Sequence, residues 1–367
     1  MSPDTPSLAR RYAIEACGNP GAVEGPLQGY HHETYVFPLG DEAGAPSPAR
    51  WKCREPRAGL LWFDRRCFDS EEQLLTALSG RISSIPGVTE FGGLRLQRFI
   101  EGRTLGELRR SGLPVPGPLL RQVVGLFREL AGVRPETLVV KRRCEARDRP
   151  RDGDTNGFLD RLISFAEENV YLSNLDAFAA LFGELGVKNH VFEILRKHVS
   201  GLSERPFCLL HADLHRENLI VDPGQRLWTI DWELAMVGDP LYDLATHLYL
   251  MRYPEWQARR LTRHWVSTVE DVRPGSSEGW RRDLGLLMDF KKAQSVFTDV
   301  IRAALAPDPG QGTGRHRPED TGRKLRRVLT DAAVPLGLVS VPAPDRIADA
   351  LVRWRAEHGK AVDVLPG

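Results

Sequence analysis

Lysine is scarce in this chain: eight residues against forty-two arginines, with a single lysine, Lys52, before position 141. These fifty basic side chains meet forty-nine acidic ones. The balance gives no support to a polyanionic partner, so neither nucleic acid nor a membrane surface is expected to bind. The arginine excess is better explained by a GC-rich bacterial genome than by a basic binding face. Cysteine is also sparse. Cys17, Cys53, Cys67, Cys144 and Cys208 are odd in number and form no C-x-x-C pair, which points to reduced thiols in a cytosolic protein. No apolar run reaches the length of about 18 residues that reads as a membrane span. Met1 to Cys17 lacks the uninterrupted apolar core of a signal peptide, so the expectation is a soluble, cytoplasmic protein. No internal repeat is visible, and 367 residues suffice for one large or two smaller domains with a buried core.

Against that even background one stretch stands out, Cys208 to Leu244, CLLHADLHRENLIVDPGQRLWTIDWELAMVGDPLYDL. Its apolar start, Cys208 to Leu210, delivers His211, Asp213 and Asn218 in the spacing H-x-D-x-x-x-x-N. Leu219 to Val221, the turn residues Asp222-Pro223-Gly224-Gln225, and Leu227 to Ile230 predict a two-stranded hairpin. Asp231 follows its second strand. Residues flanking the open end of an antiparallel hairpin face each other with Cα atoms roughly 4.5 to 5.5 Å apart, so Asn218 and Asp231 are expected to meet there. One amide oxygen and one carboxylate make a hard-oxygen site suited to Mg²⁺, with phosphate oxygens and waters completing the shell. Asp213 lies on the loop into the same end, placed to accept a proton from a hydroxyl. A base, two metal ligands and a nucleotide are the parts of phosphoryl transfer.

At these residues the segment resembles the catalytic core of the aminoglycoside phosphotransferase family, small-molecule kinases that share the protein-kinase fold. His211-Ala212-Asp213 with Asn218 stands where protein kinases carry H-R-D and Asn, and Asp231-Trp232-Glu233 stands where they carry D-F-G. The small residue after His211, the W-E after Asp231, and Gly238-Asp239-Pro240 with Asp243-Leu244 close behind are habits of the phosphotransferase branch. The resemblance implies an α+β, bilobal, protein-kinase-like fold. Residues 1–100 would form a small nucleotide-binding lobe with a hinge near 97–102, and residues 103–367 a larger, mainly helical catalytic and substrate-binding lobe. The donor implied is ATP, with GTP as the alternative, together with Mg²⁺.

Along the small lobe, Ser7 to Cys17 predicts a short helix and Tyr35-Val36-Phe37 a strand. The loop Gln28 to Thr34, where the family covers the nucleotide phosphates, keeps only Gly29 of a G-x-G-x-x-G pattern, although backbone N–H groups bind phosphate without it. The adjacent His31 and His32 read as polar loop residues. Gly40 to Pro48 reads as a hairpin tip before a strand at Ala49 to Arg54. A lone lysine on that strand, in a chain that otherwise uses arginine, marks a position requiring a compact ammonium. The family match gives Lys52 the α- and β-phosphates to hold. Asp69 to Leu78 predicts a helix with its apolar stripe at Leu74, Leu75 and Leu78. Its acid partner for Lys52 would be Glu71, with Glu72 as the alternative. Gly93 to Ile100 predicts the last strand of the lobe, with backbone groups at Gln97, Phe99 and Ile100 meeting the adenine.

Beyond the hinge, amphipathic spacing predicts helices at Leu119–Ala131, Phe158–Val170, Leu175–Leu185, Val191–Leu202, Trp256–Val272, Trp280–Ala304, Lys324–Ala333 and Arg346–His358. The charged stretch Lys141 to Gly157 reads as a mobile loop, and Ala306 to Arg323 has the composition of disorder. Asp160, Glu167, Glu168 and Asp176 are acids that could face a cationic substrate. Asp239 would cap a helix opening at Pro240, and Asp243 would hold the catalytic loop.

The reaction implied is γ-phosphoryl transfer to a small-molecule hydroxyl. Asp213 acts as base, His211 braces its loop, Lys52 and Glu71 hold phosphate, and Asn218 and Asp231 hold the metal. An antibiotic or related natural product is the expected acceptor; a choline-, sugar- or homoserine-type metabolite is the alternative. Two readings outside this class are a zinc hydrolase using His211, Asp213 and His215, and a catalytically silent nucleotide-binding module. The zinc reading leaves Asn218, Asp231 and Lys52 without a purpose. The oligomeric state is not legible in the sequence.

Overall fold

A computed structural model describes residues 7–27, 32–39, 49–57, 63, 65–306 and 318–358. The expectations for Gly29 and His31, for the tip at 40–48 and for most of the stretch from 306 to 323 fall outside these residues. The chain builds the expected bilobal α+β arrangement. Helix α1 (Leu8–Cys17) starts where the Ser7 side chain accepts the Arg10 amide and ends at Gly18, which takes the left-handed conformation. Its Ala9 and Ala13 pack on Tyr35 and Phe37. The small lobe is an antiparallel sheet of β1 (Glu24–Leu27), β2 (His32–Pro38), β3 (Arg50–Pro56), β4 (Val88–Phe91) and β5 (Leu94–Arg98), ordered β1-β2-β3-β5-β4. In the centre of this sheet Lys52 lies opposite Val36 on one side and Gln97 on the other.

Between β3 and β4 runs α2 (Glu71–Leu78), capped by Ser70, whose hydroxyl accepts the Gln73 amide. The apolar stripe is the predicted one: Leu74, Leu75 and Leu78 are buried. They belong to the main core with Leu138 and Phe207 of the large lobe, so α2 is held by both lobes at once.

The chain crosses at Gly102 and enters β6 (Arg103–Thr104), which pairs with β8 (Leu219–Val221), itself paired with β9 (Leu227–Thr229). A Cβ at Gly102, whose φ is +151°, would collide with the Val221 carbonyl oxygen. Glycine therefore lets the crossing segment lie directly on the hairpin. Helices α3 (Leu105–Leu108), α4 (Gly117–Gly132), α5 (Thr155–Phe165), α6 (Leu175–Glu184) and α7 (Val191–His198) precede the catalytic segment. It opens with β7 (Cys208–Leu210) and includes β10 (Met236–Gly238), antiparallel to β7. The rest is α8 (Pro240–Met251), α9 (Glu255–Val272), α10 (Trp280–Leu305), α11 (Pro318–Asp331), α12 (Ala333–Leu336) and α13 (Pro344–His358).

Two expectations change. The helix predicted through Val170 leaves α-geometry after Phe165 and continues as a π-turn over Ala166–Tyr171. The stretch 141–157 is tied down rather than loose. Lys141 pairs with Asp69 at 2.7 Å, the Arg143 amide donates to the Cys67 carbonyl at 2.9 Å, and Asp152 accepts the Phe207 amide at 2.5 Å. All five cysteines are free thiols.

The start of α8 hangs on a fully buried ion cluster. Arg205 donates from Nε and Nη2 to the two oxygens of Asp239 at 2.8 and 2.7 Å, and from Nη1 to Asp283 at 2.7 Å. Asp239 also caps α8 through the Leu241 amide at 2.9 Å. Breaking such a buried pair from one side leaves the Asp239 carboxylate without a counter-charge. Arg205→Ala should therefore lower unfolding free energy by about 3–5 kcal/mol, read from the guanidinium midpoint at constant slope. A loss below about 1 kcal/mol would mean that water compensates these acids.

Candidate active site

Short β-rich segments with a Pro-Gly turn fold into the expected hairpin, but its register differs from expectation by one residue. Leu219 pairs with Thr229, and the Ile230 amide donates to the Asn218 carbonyl at 3.0 Å. Asn218 therefore lies opposite Ile230, and Asp231 is one step beyond. Asp231 has φ +64°, a left-handed turn that aspartate tolerates better than most residues. Ala212, just before Asp213, is left-handed too, at φ +63°. Strain at both ends of the cleft lets Asp213 and Asp231 be presented from turns rather than from strand pleats.

The Asn218 Nδ2 donates to the Asp213 carbonyl at 2.9 Å and to its Oδ2 at 3.2 Å. Its own Oδ1 is thereby left as a hard-oxygen donor. His215 Nε2 stands 3.4 Å from the same Asp213 Oδ2. Burial alone would push the Asp213 carboxyl up, but His215, His211 and Lys291 together hold it below its ordinary value. For His215 burial would lower the imidazole, and Asp213 outweighs it and raises it. The second oxygen of Asp213, Oδ1, accepts no hydrogen bond among the described residues, which is the position a base needs.

The cation that reaches Asp231 is Arg54, two residues along β3 from Lys52 and on the same face. Its guanidinium pairs with Glu71, with Asp231 at 3.4 Å and with Glu233 at 3.7 Å. Glu71 is 7% exposed. It also accepts the Trp232 amide at 2.6 Å and the Gln97 side-chain amide at 2.7 Å. Burial would raise the Glu71 carboxyl, yet Arg54 and then Lys52 bring it down to about 2. Lys52 makes no ion pair among the described residues; burial lowers its ammonium against the pull of Glu71. The expected Lys52–Glu71 pair is thus corrected to Arg54–Glu71. Glu72 turns instead to Ser70 and Gln97, each at 2.8 Å.

A model of the phosphotransferase enzyme family matches residues 39–275. The chain belongs to that family. The family match takes in both sides of the cleft just described, from β3 to the end of α9. Among solved structures, choline kinase LicA from Streptococcus pneumoniae aligns with a TM-score of 0.50 at 16% identity, covering 89% of this chain and 99% of that one. An ethanolamine kinase from Plasmodium vivax aligns with a TM-score of 0.50 at 14% identity, over 89% and 86%. Macrolide 2'-phosphotransferase MphH from Brachybacterium faecium aligns with a TM-score of 0.49 at 15% identity, over 88% and 94%. At these identities the likeness is one of fold, the protein-kinase-like fold of small-molecule phosphotransferases.

In this phosphotransferase His211 cannot touch a substrate. It is fully buried, its Nε2 lies 3.1 Å from the Ile230 carbonyl, and its ring packs 4.7 Å from that of Trp232. Burial lowers its pKa, so a neutral ring donates to that carbonyl and ties the base loop to the hairpin. The zinc reading finds no support, because His211 Nε2 is committed to the Ile230 carbonyl and no group of three His, Cys, Asp or Glu side chains among the described residues could hold a metal ion. Asp243 accepts the Ala212 and His211 amides at 2.7 and 3.1 Å, the expected support for the loop. Two further braces carry no sequence signal of their own. His247 bridges the Leu214 carbonyl and the Tyr253 hydroxyl, each at 2.9 Å, and Arg216 caps the Arg109, Leu113 and Met251 carbonyls.

At the crossing between lobes the Gln97 backbone lies in the ladder between β3 and β4, opposite Lys52 and Val88, and its side-chain amide donates to Glu71 and Glu72. The Phe99 amide is spent on the Arg50 carbonyl at 2.8 Å, and the Phe99 ring lies under the Arg50 guanidinium at 4.7 Å. That leaves the Ile100 amide as the donor without a partner among the described residues of this stretch. Asp160 and Glu167 do not await a cation. Arg196 holds them at 2.8 and 2.6 Å. Glu168 and Asp176 are exposed.

An acid whose folded pKa is depressed lends stability above its unfolded value and loses it as pH falls through the folded one. Glu71, going from 4.5 to about 2, should contribute about 3 kcal/mol that disappears over that window. In urea titrations from pH 5 to pH 2, Glu71→Gln should lack this part of the slope. Equal slopes in both proteins would remove the carboxylate from the Arg54 cluster.

Proposed function

We propose that this phosphotransferase moves the γ-phosphoryl group of ATP to a hydroxyl of a small molecule. The observation that carries the reading is Asp213, held ionised on a loop fixed from three sides, with one carboxylate oxygen uncommitted and the other accepting the Asn218 amide. Asn218 Oδ1 and the half-exposed Asp231 carboxylate are hard oxygen donors, which suits Mg²⁺. When bound, Mg²⁺ would supply positive charge that offsets the charge building on the leaving group. Arg54, anchored by Glu71, and Lys52 present positive charge from β3 to the remaining phosphate oxygens. The Ile100 amide and neighbouring carbonyls are the groups available to the purine. Asp213 Oδ1 orients the acceptor hydroxyl and takes its proton. The transition state is loose, so positioning contributes more than proton removal.

The acceptor side is built from α8 to α13, more helix than a nucleotide needs. This supports an acceptor larger than a simple alcohol, an antibiotic or related natural product, which the enzyme would inactivate, protect against or tailor. With Asp160 and Glu167 neutralised by Arg196, two of the four acids that would have marked a polycationic acceptor are already occupied.

The decisive experiment is an ATP-consumption screen over hydroxylated natural products and metabolites, with the phosphorylated hydroxyl located by mass spectrometry and NMR. Asp213→Asn should bind Mg²⁺ and an ATP analogue within about threefold of wild type, while turnover of the best acceptor falls by about 10²–10⁴. Turnover near wild type would take Asp213 out of the role, and ADP formation without any acceptor product would replace the transfer reading by simple hydrolysis.

A further inference from the structure

Two cations converge on one buried phenol beside the base loop. Tyr242 lies in the first turn of α8, next to Asp243, whose carboxylate holds the His211 and Ala212 amides. Arg65, from the small-lobe segment between β3 and α2, donates to the Tyr242 hydroxyl at 3.1 Å. Lys291, from the middle of α10, places its Nζ 5.5 Å from the centre of the same ring. Lys291 is 7% exposed, and the hydrogen bond its ammonium donates, at 2.7 Å, goes to the neutral amide oxygen of Gln294. Among the described residues neither Lys291 nor Arg65 has a carboxylate at ion-pair distance. The contrast with Arg50, Arg54, Arg196 and Arg205 is direct, because each of those is matched by two or more acids.

The field of this pair is felt nearby. Burial would raise the Tyr242 phenol, yet Arg65 and Lys291 outweigh burial and bring it below its ordinary value. Lys291 also contributes to holding down the Asp213 carboxyl. A buried ammonium with no carboxylate in contact is costly, and an arginine fork beside a lysine point charge is a pairing that grips phosphate or carboxylate.

We infer that the acceptor carries an anionic group, a phosphate or a carboxylate, close to the hydroxyl it offers, and that this group sits between Arg65 and Lys291 over Tyr242. The inference rests on the transfer reading above and gives its acceptor a charge. Because Arg65 belongs to the small lobe and Lys291 to the large one, the bound anion draws the lobes together over Asp213. A quaternary ammonium or polyamine at the same place meets two like charges, so the site selects against it.

The test uses full-length protein saturated with Mg²⁺ and a non-hydrolysable ATP analogue, so that nucleotide phosphate sites are filled, and titrates inorganic phosphate by calorimetry against chloride at equal ionic strength. Saturable phosphate binding is expected, weakened at least about tenfold in Lys291→Met and in Arg65→Gln. Analogue affinity in each variant, unchanged within about threefold, shows that it is folded; if Lys291→Met does not fold, the partly exposed Arg65→Gln decides. Absence of saturable phosphate binding, or equal affinity in wild type and the folded variants, overturns the inference. So does a best acceptor from the screen that bears a quaternary ammonium or only amines. Failure of the ATP analogue to bind wild-type protein would instead overturn the transfer reading, and the phosphate titration repeated without nucleotide would still report on Lys291 and Arg65.

Discussion

One guanidinium holds this molecule together where it matters. Arg54 reaches from the centre of the small-lobe sheet to Glu71 on α2 and to Asp231 and Glu233 of the large lobe. Glu71 in turn accepts the Trp232 amide, so β3, α2 and the segment after the hairpin meet at a single point. Arginine suits this place because its planar fork serves several carboxylates at once and keeps its proton when buried. The balance is not neutral. Burial and the charge of Asp231 push the Glu233 carboxyl up to about 7, a sign that three acids crowd one cation.

A second layer of restraint fixes the base. The loop from His211 to Asn218 makes few contacts by its own regular structure, and it is held instead by His211 on the Ile230 carbonyl, Asp243 on two amides, His247 on the Leu214 carbonyl and Arg216 on three more. Each bond satisfies a backbone group that a left-handed residue such as Ala212 leaves outside any ladder. The ion cluster of Arg205 secures the start of α8, from which Asp243 projects. Stability and site geometry are thus carried by the same buried polar groups.

Much of this was legible in the residues alone. The H-x-D-x-x-x-x-N spacing, the hairpin, the stripe of α2 and the long amphipathic helices depend on local patterns of period and turn chemistry, and the structure follows them closely. What escaped depends on choices between near neighbours. Lys52 and Arg54 share a face of β3, and alternation along a strand cannot say which of two cations reaches the acid. The rarity of lysine pointed to Lys52 as the partner of Glu71, and the structure pairs Glu71 with Arg54. Asn218 and Asp231 were expected opposite each other, and the ladder slips them by one residue, recovered by the left-handed turn at Asp231. The stretch 141–157 has the composition of a loose connection, yet its backbone and Asp152 are pinned by partners more than fifty positions away. Lys291 and Arg65 carried no signal at all, since neither lies in a motif and their convergence on Tyr242 is purely tertiary.

The central claim is that Arg54 and Glu71 act as one unit joining the lobes around the nucleotide. A double-mutant cycle with Arg54→Met and Glu71→Gln, read as Mg·ADP affinity and as unfolding free energy on the same four proteins, measures that unity. The account requires a coupling of at least about 1.5 kcal/mol in one of the two readouts, the double variant losing far less than the sum of the singles. Additivity within about 0.5 kcal/mol in both would contradict it.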